Sequence, residues 1–236
     1  MASEYDSYVR VEWEMFVADE GRARESLEAV AGLDARRVLD VGCGAGQELL
    51  PFAQQPGAIC VGVDVTPEAG LAGRELFAAR APAGSVVFAR AAAESLPFAA
   101  DSFDVVICRL ALPYTDNAQC LSELARVLRP GGALLLKIHH ARFYLRDLRA
   151  GARRGDVPAA VYNARVLLAG LVYLLTGRQP RTRLPSRETF QTTRLLSREL
   201  ARRGLEIRRE LRDSNPRTPS FLIVKRGDKP PCPPQP

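Results

Sequence analysis

Hydrophobic residues between positions 36 and 140 occur in short continuous runs, and most runs are followed by a stretch with helical spacing. The runs predict β-strands at 37–41, 59–64, 85–89, 103–108 and 133–138. The stretches between them predict helices near 46–54, 67–80 and 117–129. Alternation of this kind predicts a parallel sheet, and continuous apolar strands indicate that helices cover both of its faces.

Residues that favour helix ends support these limits. Thr66 followed by Pro67 is typical of an N-cap and a first helical position. Asp116 with Gln119 resembles a capping box. Pro130 and the two glycines after it are expected to end the third helix sharply.

The two ends of the chain differ from this alternating core. Residues 1–33 are expected to form an N-terminal helical cap, because good helix formers dominate there. This cap carries aromatic anchors at Tyr5, Tyr8, Trp13 and Phe16. The last ten residues, 227–236, are proline-rich and are expected to be disordered.

The main domain is assigned to residues 34–226, with an insertion at 141–186 where the regular alternation stops. Ser186 is a plausible N-cap for a helix that would end at Gly204. Two β-type segments follow, at 205–211 and 221–225.

The insertion also holds most of the positive charge. The chain has a net charge of +6, whereas residues 141–186 alone contain nine arginines and two aspartates, a net +7. Ten consecutive apolar residues, 166–175, are fewer than the ~20 that span a bilayer. Three interpretations stay open: a core helix covering the site, a lid over a lipophilic acceptor, or a peripheral membrane contact with arginines on lipid headgroups.

The start of the chain has no basic region followed by an apolar run, so no signal peptide is expected. The five cysteines form no C-x-x-C pair, which indicates neither a zinc site nor a disulfide framework. Isolated cysteines in apolar segments fit a reducing compartment, and we expect a cytoplasmic protein.

The candidate chemistry begins at VLDVGCGAGQE, residues 38–48. A buried strand leads into Gly42, Gly44 and Gly46, and glycines let the chain turn tightly and let a ligand approach the backbone. A dinucleotide fingerprint would need glycine where Gln47 stands. Asp40 would repel a pyrophosphate, but it suits a ligand that carries an ammonium and a sulfonium.

The second signal is VGVDVTPE, in which Asp64 ends the second strand. A carboxylate at that strand end is placed to accept hydrogen bonds from both ribose hydroxyls of a nucleoside. The alternative is an acid that only caps the following helix.

These segments, with ESLPFAADSFDVVICRLAL (94–112) and LSELARVLRPGGALLLKI (121–138), resemble the class I S-adenosylmethionine-dependent methyltransferases, in particular the methyltransferase type 11 group. The resemblance implies a Rossmann-like, doubly wound α/β fold with a seven-stranded, mostly parallel sheet of order 3-2-1-4-5-7-6. It implies S-adenosyl-L-methionine as cofactor and S-adenosyl-L-homocysteine as product. The implied cofactor-binding residues are Asp40, Gly42, Cys43, Gly44, Gly46, Asp64, Val65, Ala92, Ala93 and Arg109.

One position departs from that family. Its members usually read G-D-A-E before the third of these segments, where the aspartate binds the adenine amino group, but this chain has Ala92 there. Loss of one such hydrogen bond costs about 1 kcal/mol, so cofactor affinity is expected to weaken without vanishing. The backbone N–H of Ala93 is still expected to reach the ring.

Methyl transfer from a sulfonium needs alignment and exclusion of water, with no metal in principle, and a base helps when the acceptor must lose a proton. The only histidines, His139 and His140, follow the fifth strand, and Tyr114 follows the fourth. All three are candidate catalytic residues because ligands bind at the carboxyl ends of such strands. Arg109 is expected near the methionine portion, held by its backbone or meeting an anion with its side chain.

The function expected from these features is methyl transfer to a small lipophilic or anionic acceptor. An RNA methyltransferase that uses the basic 141–186 segment is the first alternative, although the segment has no evident RNA-binding module or stacking series. A cofactor-binding homologue without catalysis is the second, motivated by Ala92.

Overall fold

The computed structural model describes residues 4–78, 80–82, 84–180 and 188–227. Its strands are β1 (Arg37–Val41), β2 (Ile59–Asp64), β3 (Val86–Arg90), β4 (Phe103–Arg109), β5 (Leu128–Lys137), β6 (Leu205–Glu210) and β7 (Ser220–Lys225). Its helices are α1 (Glu4–Ala18), α2 (Glu20–Ala29), α3 (Leu50–Ala53), α4 (Pro67–Phe77), α5 (Asn117–Val127), α6 (Ala141–Arg154), α7 (Val157–Thr176) and α8 (Thr193–Ala201). Single 3-10 turns lie at Gln47–Leu49 and Leu112–Tyr114.

The strands form one sheet in the order β3-β2-β1-β4-β5-β7-β6, which confirms the expected topology. β1 to β5 run parallel, and β7 lies antiparallel to both β5 and β6. Strand β1 pairs with β2 on one side and with β4 on the other, so the direction in which strands are added reverses after β3. This reversal is a topological switch point, where ligands bind beyond the carboxyl ends of the strands.

Helices cover both faces of the sheet, so each buried strand serves two cores. In β4, Val105 and Ile107 join the cluster that contains Trp13 of α1. Val106 and Cys108 join the opposite cluster, beneath α5 and α8. The continuous apolar pattern of β4 follows from this arrangement, because side chains alternate across a strand.

The N-terminal helical cap consists, over residues 4–29, of the two helices α1 and α2. Asp19 separates them, and its side chain accepts a hydrogen bond from the backbone N–H of Arg22 at 3.2 Å, which caps α2. β5 begins at Leu128, earlier than expected, because Leu128 pairs with Phe103 and the strand runs on through Pro130 and Gly131.

The helix expected from Ser186 begins later, at Thr193, so that start was wrong. Thr192 is its N-cap and accepts from the N–H of Leu195 at 3.2 Å. Ser186 itself lies outside the described residues, as does almost all of the proline-rich tail, from residue 228 onward.

The insertion contains two packed helices, α6 and α7, joined at Gly155 and Asp156. α7 is 20 residues long with a mean hydropathy of 1.5, so its length and composition would allow it to cross a membrane. The ten-residue apolar run at 166–175 is therefore part of a longer helix than the run by itself indicated. Only 28% of its most apolar window is buried against the rest of the chain.

We predict that Trp13→Ala destabilises the protein by about 3–5 kcal/mol, because this side chain is fully buried and meets Phe77 edge-on at 5.0 Å. Urea unfolding measures the change. Val11→Ala on the same helix is the control, since Val11 is 57% exposed and its truncation should stay within about 0.5 kcal/mol. Equal losses in the two variants would contradict this account of the core.

Candidate active site

A cavity of about 830 Å³ opens at the switch point, beyond the carboxyl ends of β1, β2, β4 and β5. Its size is within the range of small-molecule and cofactor sites. It is bounded by the glycine turn after β1, by the segment after β3, and by α1. The residues after β4 and β5 close the remaining side.

The glycine turn shapes one wall of the cavity. Gly42 and Gly44 line it and have φ angles of 71° and 54°, in the left-handed region. A Cβ at Gly42 would lie 2.3 Å from the Cβ of Ala111, so no side chain fits there. Leu110 lines the cavity with φ 62°, and strained non-glycine residues of this kind cluster at functional sites.

Asp64 ends β2 at the cavity and ties three segments together. One carboxylate oxygen accepts from the N–H of Gly44 at 3.1 Å and from the hydroxyl of Tyr5 at 3.4 Å. The other accepts from the N–H and the hydroxyl of Thr66, at 3.0 and 2.7 Å. Thr66 was expected to cap α4, but its side chain makes no capping hydrogen bond and holds Asp64 in place instead.

Asp40 is the most unusual group of the cavity wall. It is only 2% exposed, and its Oδ2 has no hydrogen-bond partner among the described residues. Burial, and then the neighbouring Glu48 carboxylate, raise its pKa well above the ordinary value. A cationic or hydrogen-bond-donating ligand in the cavity would satisfy this oxygen and favour its ionised form.

A chain of ion pairs runs behind the cavity. Glu48 pairs with Arg22 of α2 and, through Oε2, with Nε of Arg109 at 3.2 Å. Arg109 also pairs with Asp213 at 2.5 Å, and Asp213 pairs with Lys137 at 2.8 Å. The network links α2, the glycine turn, β4, β5 and the β6–β7 connection. The Arg109 side chain thus meets carboxylates of the protein itself.

An aromatic part of the cavity lining is formed by Tyr114, His139 and Phe143. The His139 ring stacks on Phe143 at 4.1 Å with an interplanar angle of 3°, and meets Tyr114 edge-on at 6.2 Å. Behind it, Nδ1 of His139 lies 3.1 Å from the hydroxyl of Tyr144, which donates to Glu188 at 2.6 Å.

This arrangement selects one form of His139. Because the single phenol proton of Tyr144 goes to Glu188, its oxygen accepts the Nδ1 proton of His139, and Nε2 keeps a free lone pair. Burial lowers the pKa of His139 to about 4, so the ring is neutral near pH 7.

The second histidine has a different role in the fold. His140 is the N-cap of α6, where Nδ1 accepts from the N–H of Arg142 at 3.3 Å, and it is not among the residues that line the cavity. Of the three candidate catalytic residues, the cavity brings together His139 and Tyr114.

Comparison with known proteins identifies the domain. The profile described as "Methyltransferase domain" matches residues 39–136. The chain is 41% identical over 109 residues to the methyltransferase YcgJ of Bacillus subtilis, covering 44% of this chain and 41% of that protein. It is 34% identical over 124 residues to the ubiquinone/menaquinone biosynthesis C-methyltransferase UbiE of Geobacter sulfurreducens, covering 51% and 48%. The chain thus spans about half or less of the length of these relatives.

Residues 39–136 thus match a methyltransferase-domain family, in agreement with the motifs that resemble class I S-adenosylmethionine-dependent methyltransferases. A solved structure, magnesium protoporphyrin IX methyltransferase (ChlM) from Synechocystis PCC 6803 with bound S-adenosylhomocysteine, has the same fold, with a TM-score of 0.59. It is 18% identical, and the match covers 95% of this chain and 89% of that one.

Most residues expected to bind the methyltransferase cofactor line the cavity. They are Asp40, Gly42, Cys43, Gly44, Asp64, Val65, Ala92, Ala93 and Arg109. Gly46 is not among the lining residues. A Cβ there would lie 2.7 Å from the Phe88 ring, so Gly46 allows the turn to pack on the sheet rather than on a ligand.

The sequence signals missed several residues at this cavity. Arg22 reaches the cavity from α2, and His139 is supported by Tyr144 of the insertion and by Glu188, just after it. No local motif marks these three, because each depends on how distant segments pack. Trp13, one of the aromatic anchors of the N-terminal cap, lies in the core.

We predict that Asp213→Asn destabilises the protein by about 2 kcal/mol at pH 7 and by much less near pH 2. Burial alone would raise the pKa of Asp213, but Arg109 and Lys137 outweigh it and lower the pKa from 3.8 to about 2. Stabilisation from such a group is complete above its unfolded-state pKa and is lost as the pH falls through about 2.

Urea unfolding of both proteins at several pH values measures the difference. Asp34→Asn is the control, since Asp34 pairs with Arg36 on the surface and contributes little. A wild-type-to-variant difference that does not shrink on acidification would contradict the role assigned to the network.

Proposed function

We propose that this chain binds S-adenosyl-L-methionine in the cavity and transfers its methyl group to a small lipophilic acceptor beside His139. The observation that carries the proposal is the buried, unsatisfied Oδ2 of Asp40 on the cavity wall. A carboxylate there favours a cationic ligand, and the cofactor bears both an ammonium and a sulfonium.

The other cavity residues fit the same ligand. Asp64, at the end of β2, is at the position that accepts ribose hydroxyls in nucleotide-binding folds. Ala92 and Ala93 border the far end, where a flat, uncharged ring is accommodated without a side-chain partner at position 92. The glycine turn lets the ligand approach the backbone closely.

When bound, the cofactor supplies an activated methyl group, whose bond to sulfur breaks, leaving its electron pair on sulfur, as the bond to the acceptor forms. The protein's task is to align the acceptor and exclude water. Nε2 of His139 accepts the acceptor's proton, and Tyr144 with Glu188 keeps the ring in the form that can do so.

A lipophilic rather than anionic acceptor is favoured because Arg109 is engaged with Glu48 and Asp213. The acceptor side is lined by aromatic rings instead. The name of the UbiE relative, a quinone-biosynthesis C-methyltransferase, supports a hydroquinone as the first acceptor to test.

Calorimetric titration with S-adenosylmethionine tests the cofactor assignment, and we predict measurable binding that Ala92→Asp strengthens by about fivefold. A carboxylate at position 92 restores one hydrogen bond to the adenine amino group, which is worth about 1 kcal/mol. Ala100→Asp, in an exposed turn, adds the same charge and should leave affinity unchanged. No binding at 1 mM cofactor would sink the proposal.

Turnover with a prenylated hydroquinone tests the acceptor side. We expect Tyr144→Phe to lower kcat by about tenfold with little change in KM, because His139 loses the partner that fixes its proton. Tyr173→Phe is the control, since this phenol is buried but its hydroxyl has no hydrogen-bond partner among the described residues.

If Tyr144→Phe and Tyr173→Phe have the same kcat, the hydrogen bond from His139 to Tyr144 does not contribute to the reaction, and this part of the mechanism is wrong. If the protein methylates RNA but not the hydroquinone, the proposed small-molecule acceptor is wrong and the RNA methyltransferase hypothesis is favoured.

A further inference from the structure

The hairpin of α6 and α7 has two distinct stripes on its solvent-facing sides. Along α7, apolar residues recur at spacings of three, four and seven and are all exposed: Val157, Val161, Leu168, Val172 and Leu175. Residues with these spacings share one side of a helix, and this stripe is about 27 Å long. Soluble monomers rarely leave such a long apolar face uncovered.

The opposite side of α7 is already used by the protein. Val166 packs with Tyr144 and Phe190, and a Cβ at Gly170 would lie 2.3 Å from the Phe190 ring. The buried side also carries the polar Asn163. α7 is thus attached to the domain along its length, and its apolar stripe faces outwards instead of being surrounded.

The second stripe lies on α6 and consists of arginines. Arg142, Arg146, Arg149 and Arg153 are spaced by four, three and four residues, and together they line a shallow surface groove. Arg146 pairs with Asp147, whereas the other three form no ion pair with any described residue. Residues 141–176 contain six arginines against two aspartates.

We propose that this hairpin binds the surface of an anionic lipid bilayer, with the α7 stripe among the acyl chains and the α6 arginines on the phosphates. The occupant is set by charge complementarity, because guanidinium groups bind phosphates well and the same hairpin also exposes an apolar stripe, as interfacial elements do. A second copy of the chain would bring one positive hairpin against another, and RNA would leave the apolar stripe in water.

The contact has a consequence for the cavity. Phe143 belongs to the first turn of α6, at the start of the hairpin, and its side chain also lines the cavity beside His139. A hairpin seated on a bilayer therefore holds the cavity next to the lipid phase, from which a lipophilic acceptor can enter. The membrane contact itself does not depend on the proposed reaction.

Co-flotation with vesicles tests the inference on the whole chain. We predict binding to vesicles of phosphatidylcholine and phosphatidylglycerol at 3:1, and at least tenfold weaker binding to pure phosphatidylcholine. Leu168→Glu should weaken binding at least tenfold. Leu71→Glu is the matched control and should have no effect, since both leucines are helical and 64% exposed.

The arginine stripe is tested separately. Replacing Arg142, Arg149 and Arg153 by glutamine should weaken binding to the anionic vesicles at least tenfold, whereas glutamine at Arg194, Arg198 and Arg208 removes the same charge elsewhere and should not. The proposal is overturned if the wild-type protein does not float with the anionic vesicles. It is also overturned if a stripe variant and its matched control weaken vesicle binding equally. Sedimentation that shows a dimer lost in Leu168→Glu would assign the stripe to a second copy instead.

Discussion

Two carboxylates, Asp40 and Asp64, end neighbouring parallel strands and face the same cavity. Like charges in a partly dry crevice repel each other and favour a positively charged partner. Asp64 is held by four hydrogen bonds from the glycine turn, from Tyr5 and from Thr66, but Asp40 keeps an unsatisfied oxygen. The unsatisfied oxygen of Asp40 is therefore the group on the cavity wall that most needs a partner from a ligand.

The ion-pair network explains how distant segments are brought to this crevice. Glu48 lies two residues after the glycine turn and forms ion pairs with Arg22 of α2 and with Arg109 of β4. Asp213 extends the network to the far half of the sheet, and Glu25 of α2 accepts the N–H of Asp213 at 3.1 Å. The N-terminal cap is therefore part of the cavity wall, since its position depends on the same charges that shape the site.

The acceptor side has a different physical basis. Aromatic stacking, burial and one hydrogen-bonded relay define the neutral state of His139. Helix α6, which supplies Tyr144 to this relay, also carries the arginine stripe and packs against α7 with its exposed apolar stripe. The insertion after β5 thus supplies Phe143 to the cavity lining and Tyr144 to the relay behind His139, and it also carries an exposed surface of its own. The insertion lies outside residues 39–136, the segment that the methyltransferase-domain family matches.

Sequence alone determined the features that are local in the chain. The limits of β1 and β2, the glycine turn, and the placement of Asp40 and Asp64 at strand ends all follow from patterns a few residues long, because strand burial and turn geometry act over that distance. The strand order came from resemblance, since pairing partners are not written in any single segment.

Tertiary structure decided the rest. Only packing reveals that Gly46 faces Phe88 and that His140 caps a helix while His139 meets the cavity. Only packing shows that one side of α7 remains in solvent. Side-chain direction and ion-pair choice depend on segments far apart in the chain, whose contacts form only when the sheet and its covering helices assemble.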